Sequence, residues 1–200
     1  MRNIPRDVIT ICVRVTFMLL LLAPLAAWAL YKPSRLVAPQ WLGLVCVPDT
    51  VCVDDADRAG EAVTLYEGAL AFVQANAGQL ERRPRAAFCA TESCFAAFGL
   101  DRSTAHTTLF GIIVGPRGWE PHYVRHELIH HLQMERLGFW KLGPIRRWRA
   151  PEWFLEGMAY ALSEDPRPAL PEPYQTHRLR FEEWYSSVGK ERLWAAARDL

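Results

Sequence analysis

His126-Glu127-Leu128-Ile129-His130 constrains this chain more than any other segment. It falls between Pro121, which suits the first turn of a helix, and Gly138, a natural stop. On a helix, residues i and i+4 project from one face, about 6 Å apart along the axis. Leu128, Ile129 and Leu132 then supply an apolar face that ties the helix into a domain. Two imidazoles so placed can converge on one zinc ion at about 2.0–2.1 Å. Glu127, one step around the helix, flanks such an ion without binding it and is placed to take a proton from a water. The plainer alternative is an amphipathic helix with surface histidines.

A catalytic zinc has three protein ligands and one open position. Glu156 is the candidate third ligand, in the run Pro151-Glu152-Trp153-Phe154-Leu155-Glu156-Gly157-Met158-Ala159. Pro151 opens that helix, expected to reach about Ser163. Gly157 and Ala159 are small enough to let another helix approach beside the carboxylate, and glycine inside a helix costs up to about 1 kcal/mol, so it asks for a reason. Glu152 needs no metal, because a carboxylate in the first turn is favoured by the helix dipole.

With both segments in view, H-E-x-x-H followed by W-F-x-E-G-x-A resembles the gluzincin branch of zinc metallopeptidases over about residues 85 to 163. The resemblance implies one zinc ion held by His126, His130 and Glu156, with Glu127 as general base. It also implies a small mixed sheet packed on the HExxH helix, whose edge strand aligns a peptide or protein substrate. The fold class expected is therefore α+β, zincin-like, with a helical C-terminal part. No G-x-M-E-N-type segment for gripping a free amino terminus is present, so endopeptidase and other amide hydrolase activities both stay open. A catalytically inactive zincin-like binding or scaffold module at the membrane is the alternative of a different class, suggested by the small size.

The N-terminal hydrophobic helix is a separate unit, residues 1–31. Val8 to Tyr31 is apolar apart from Arg14 and two Thr, after Arg2 and Arg6. It is long enough to cross a bilayer if Arg14 snorkels. Ala27-Trp28-Ala29 also matches a small-x-small signal-cleavage site. The segment is thus a signal anchor or a cleaved signal peptide, and either puts the domain, residues 44–200, outside the cytoplasm. Residues 32–43, with Pro33 and Pro39, read as a tether.

Five cysteines occur, and Cys12 lies in the apolar segment. The other four, Cys46, Cys52, Cys89 and Cys94, fit disulfides in an exported domain. Val45-Cys46-Val47 and Val51-Cys52-Val53 flank a turn at Pro48-Asp49-Thr50, a hairpin register that sets Cys46 opposite Cys52. Cys89 then pairs with Cys94. Zinc binding by these cysteines is the rival, but no C-x-x-C is present.

Elsewhere, Asp54 and Asp57 are expected to cap a helix running to about Ala77, with Val63, Tyr66, Leu70 and Val73 on one face. Arg85 to Ala90 reads as a strand, Ser93 to Phe98 as a short helix, and Thr107 to Val114 as a single strand matching the edge strand of the resemblance. One or two helices fill His177 to Leu200. His122 is read as a helix-start or substrate-cleft residue, His131 as a polar surface group or one that supports a ligand from behind, and His106 and His177 as isolated. Tyr160, Tyr174, Tyr185 and His177 are the candidates to donate to an oxyanion. The basic loop Lys141 to Arg149, with Trp140, Trp148 and Trp153 nearby, reads as a solvated surface, with an acidic substrate or anionic lipid as its alternatives. Trp119 is expected to pack. Lys and Arg total 23 against 22 Asp and Glu, so no charge excess calls for nucleic acid. Oligomeric state is not written in the chain.

Overall fold

The computed structural model describes residues 6–47, 50–138 and 150–200. The expected turn residues Pro48 and Asp49, and the basic loop with Trp140 and Trp148, lie outside them. Helix α1 spans Arg6–Leu30, and its window Val13–Leu30 is long and apolar enough to cross a membrane, with none of it buried against the rest of the chain. Lys32–Val37 and Pro39–Leu42 then form two 3-10 turns, each with proline at its start, where the missing N–H costs nothing. The residues expected to form a tether are thus folded into turns that pack on the domain. Leu36 is fully buried, and Ser34 and Pro39 are buried with it. Arg35 Nη1 donates to Ala97 O at 2.6 Å, and Arg85 Nη1 donates to Leu36 O at 3.2 Å.

A five-stranded mixed sheet runs in the order β1-β2-β3-β5-β4. Its strands are β1 (Val45–Cys46), β2 (Val51–Val53), β3 (Arg85–Phe88), β4 (Ala105–Thr108) and β5 (Gly111–Val114). The outer pairs β1·β2 and β4·β5 are antiparallel, and β2·β3 and β3·β5 are parallel. The period-2 alternation of strands divides the core in two. Val51, Val53, Ala86, Phe88, Ile112 and Val114 face the large helical layer, while Cys52, Ala87, Cys89 and Ile113 face the opposite way toward Leu36, Phe95 and Phe98. Cys46 stands opposite Cys52 and is bonded to it, and Cys89 is bonded to Cys94.

The expected strand 107–114 is instead a hairpin, with Leu109 and Phe110 at its tip. Gly111 turns the chain: its φ is +136°, and a Cβ there would lie 1.9 Å from Arg85 O. The edge strand at this end of the sheet is therefore β4, with β5 inside it.

Helix α2 (Ala59–Asn76) follows a 3-10 turn at Ala56–Arg58. The cap differs from expectation: Asp55 accepts from Asp57 N, whereas Asp54 reaches across to Ala90 N at 2.6 Å and to Thr91 N and Oγ1. Tyr66, Leu70 and Val73 are buried as their spacing implies, and Val63 is partly so. Short helix α3 (Glu92–Ala97) is capped by Thr91 and covers the second sheet face. Trp119 packs edge-on to Phe88 and donates to Cys89 O. Helix α4 (Pro121–Leu137) buries Val124, Leu128, Ile129 and Leu132 completely. Helix α5 (Glu152–Leu162) lies against α4 and against α6 (Tyr174–Val188), and α7 (Leu193–Ala197) closes the layer.

Gly157 explains the α5–α6 contact. A Cβ there would lie 2.2 Å from His177 O and 2.7 Å from Phe181 Cβ, so only glycine lets the backbones meet. Phe154, Phe181 and Trp184 pack edge-on and tilted at ring separations of 5.4 to 5.9 Å, and Trp153 lies 6.0 Å from Trp184.

Candidate metal centre

His126 and His130 leave the same face of α4, as their spacing requires, and their Nε2 atoms stand 3.1 Å apart. Glu156 arrives from α5: Oε2 lies 3.8 Å from His126 Nε2 and Oε1 lies 3.7 Å from His130 Nε2. A tetrahedral ion at about 2.0–2.1 Å from its ligands keeps those ligand atoms about 3.4 Å apart. The donor set therefore fits one small divalent ion, and its ligand atoms all lie within 4.8 Å of one another. Two imidazoles and one carboxylate, with no thiolate, also form a set that zinc accepts while keeping an open position. Burial, reinforced by the neighbouring His130, holds the His126 imidazole well below its usual pKa, which favours the neutral form a metal requires.

The orientation of His130 is set by Gln133, one turn further on and fully buried. Gln133 Nε2 donates to Leu155 O at 2.9 Å, and a carbonyl can only accept. Gln133 must therefore present Oε1 to His130 Nδ1, 2.8 Å away, which fixes the imidazole proton on Nδ1 and leaves the Nε2 lone pair for a ligand bond. The same amide ties α4 to the residue preceding Glu156. One side chain thus joins both ligand-bearing helices.

Glu127 does not join the ligand cluster. Its carboxylate Oε2 lies 2.6 Å from the Thr107 hydroxyl on β4, and that hydroxyl also lies 2.8 Å from Glu127 O. Burial pushes the Glu127 carboxyl up, and His130 and the Thr107 hydroxyl offset this only in part. A raised carboxyl beside an ion site suits a group that takes up and returns a proton.

These residues line a cavity of about 700 Å³, bounded by β4, α4, α5 and the turn before α6. His106, expected to be isolated, lines it from β4. Of the candidate donors, Tyr160 and Tyr174 reach it, whereas Tyr185 stacks on Phe181 at 5.4 Å and His177 is not among the lining residues. The Tyr160 ring lies 4.5 Å from His126, and burial with the nearby Glu156 pushes its phenol up to about 12. His131 pairs with Glu135 at 3.8 Å on another side of α4.

Sequence reading missed Gln133, Thr107, Tyr123 and Arg167 as cavity residues. Gln133 carried a detectable signal, being a polar residue one turn after His130 on a buried helix. Arg167 carried none. Its guanidinium is held by Asp165 within a proline-rich turn, and only folding brings it against Tyr123 and Tyr160. The chain matches no family model, no curated protein and no solved structure.

Proposed function

We propose that this protein is an extracytoplasmic, membrane-tethered, zinc-dependent peptidase. The observation that carries the proposal is the meeting of His126, His130 and Glu156 from two helices, with Glu127 alongside and outside the ligand set. When bound there, zinc would acidify a water and polarise a substrate carbonyl.

The chain's own residues supply the rest. Glu127 accepts the proton of the attacking water and passes it to the departing amine nitrogen. Thr107 holds the Glu127 carboxylate in place, and Gln133 holds His130. Tyr160 keeps its proton at neutral pH and offers it as a hydrogen bond to the carbonyl oxygen as charge gathers there. The free edge of β4, residues 105 to 108, can align an extended peptide by backbone hydrogen bonds. The paired disulfides favour an oxidising compartment, and α1 supplies the anchor.

Zinc stoichiometry and peptide-library turnover test the reading together. Wild type is expected to bind one zinc and cleave, Glu156→Ala to lose zinc, and Glu127→Gln to keep zinc with turnover lowered about 10²–10⁴-fold. A wild type free of zinc under non-chelating conditions, or full turnover in Glu127→Gln, refutes it. Zinc retained without cleavage of any peptide marks a binding module.

A further inference from the structure

The end of α1 and the two 3-10 turns after it expose a run of large apolar side chains. Leu30 is 85 % exposed, Tyr31 50 %, Val37 55 % and Trp41 70 %. They do not lie on a loose strand. Arg35 Nε donates to Trp28 O at 3.2 Å, its guanidinium sits 4.9 Å from the Trp28 ring, and its Nη1 donates to Ala97 O at the end of α3. The Trp41 ring meets Trp28 edge-on at 5.9 Å. Below this, Leu36 is locked into the second sheet face with Phe95 and Phe98.

We propose that residues 31–42 are a foot that seats in the lipid–water interface, with Trp41 inserted at the level of the last turn of α1. The inference rests on the membrane placement of α1 and is independent of the zinc reading. Trp28 lies in the last turn of an apolar window, Val13–Leu30, 18 residues long and about 27 Å as a helix, which nearly matches the hydrocarbon thickness of a bilayer. A ring packed against Trp28 therefore lies at the headgroup boundary, where indoles are favoured. Arg35 sits against Trp28 and Lys32 lies in the same 3-10 turn, where anionic lipid headgroups attract positive charge. Lipid is the occupant continuous with the apolar span, none of which is buried among the described residues.

Two consequences follow from the contacts. Because Arg35 grips both Trp28 and Ala97, the anchor and the domain are coupled, and the domain holds a set tilt over the bilayer. The foot and α3 cover one face of the sheet, while α4 and α5, which carry the ligand set, lie on the other. The sheet therefore separates the metal centre from the membrane surface.

The test uses the full chain in vesicles of phosphatidylcholine with a minor share of phosphatidylglycerol, brominated high in the acyl chains. Wild type is expected to co-float and to lose tryptophan emission to the bromines. Trp41→Phe, a change at an exposed site, should co-float equally and lose less, by the share of one indole. Acrylamide should quench both alike, because Trp41 is shielded from water. Equal bromine quenching of the two proteins, or an acrylamide-quenchable Trp41, overturns the foot while leaving the anchor. Failure to co-float overturns the membrane placement itself. A membrane-bound protein that begins after Ala29 also overturns the foot, since Trp28 would be gone.

Discussion

The face of the sheet under α2 and α4 buries Phe88, Ile112 and Val114 against a thick helical layer, whereas the opposite face is covered, among the described residues, by the short helix α3, two 3-10 turns and a few side chains such as Leu44 and Leu100. The thick side carries buried polar groups, Gln133 at 0 % exposure and Glu127 at 8 %. On the thin side, Cys52, Cys89 and Cys94 are themselves members of the buried cluster, and two covalent bonds compensate for its small apolar area. A large apolar mass can carry these polar groups because each is hydrogen-bonded, Gln133 to His130 and Leu155 O and Glu127 to Thr107, and the surrounding burial offsets their desolvation. A thin layer has no such surplus and is stapled.

If that contrast is right, the sharpest blow to the thick side is Gly157→Val, which forces a side chain into His177 O and Phe181. Thermal melts should show a loss of about 3 kcal/mol, with zinc binding lost alongside. Unchanged stability would break the account of how α5 presents Glu156. Replacing Cys89 and Cys94 together by Ser should cost about 2 kcal/mol from the short loop they close, yet leave zinc stoichiometry intact, because the site stands on the other face. Loss of zinc in that variant would show the two sides to be coupled. Gln133→Leu leaves His130 Nδ1 and Leu155 O unpaired. Denaturant titration should read about 1.5 kcal/mol of destabilisation, and metal competition a 10–100-fold weaker zinc affinity; the affinity separates a positioning role from simple packing. Smallest is Tyr66→Phe, which removes the 2.7 Å bond to Pro84 O and should cost about 1 kcal/mol with no change in zinc affinity.

The sites where sequence reading went astray have physical reasons. Thr107 to Val114 is rich in apolar and β-branched residues, so it reads as one strand. The break lies in the positive φ of Gly111, which a glycine permits but does not announce. Residues 32–43 have the prolines of a linker. Their burial comes from Leu36 meeting Phe95 and Phe98, far along the chain. Asp54 and Asp57 read as caps from sequence, but Asp55 caps the turn, and Asp54 is drawn away by Ala90 and Thr91 arriving beside it. By contrast, Cys46 opposite Cys52 followed from a short hairpin register, and Gly157 beside Glu156 signalled close packing in advance.

The chain by itself determined what short-range backbone geometry controls. Imidazoles four residues apart share a helix face, hairpin cysteines stand opposite one another, and a long, mostly apolar run makes a helix long enough for a bilayer. Only the tertiary structure decided which distant partners meet: Glu156 with the two histidines, Gln133 between both ligand helices, Thr107 on Glu127 and Arg35 between α1 and α3. Those distances follow from how whole helices pack on the two faces of the sheet. That packing depends on burial summed over many residues, and no local window of sequence contains the sum.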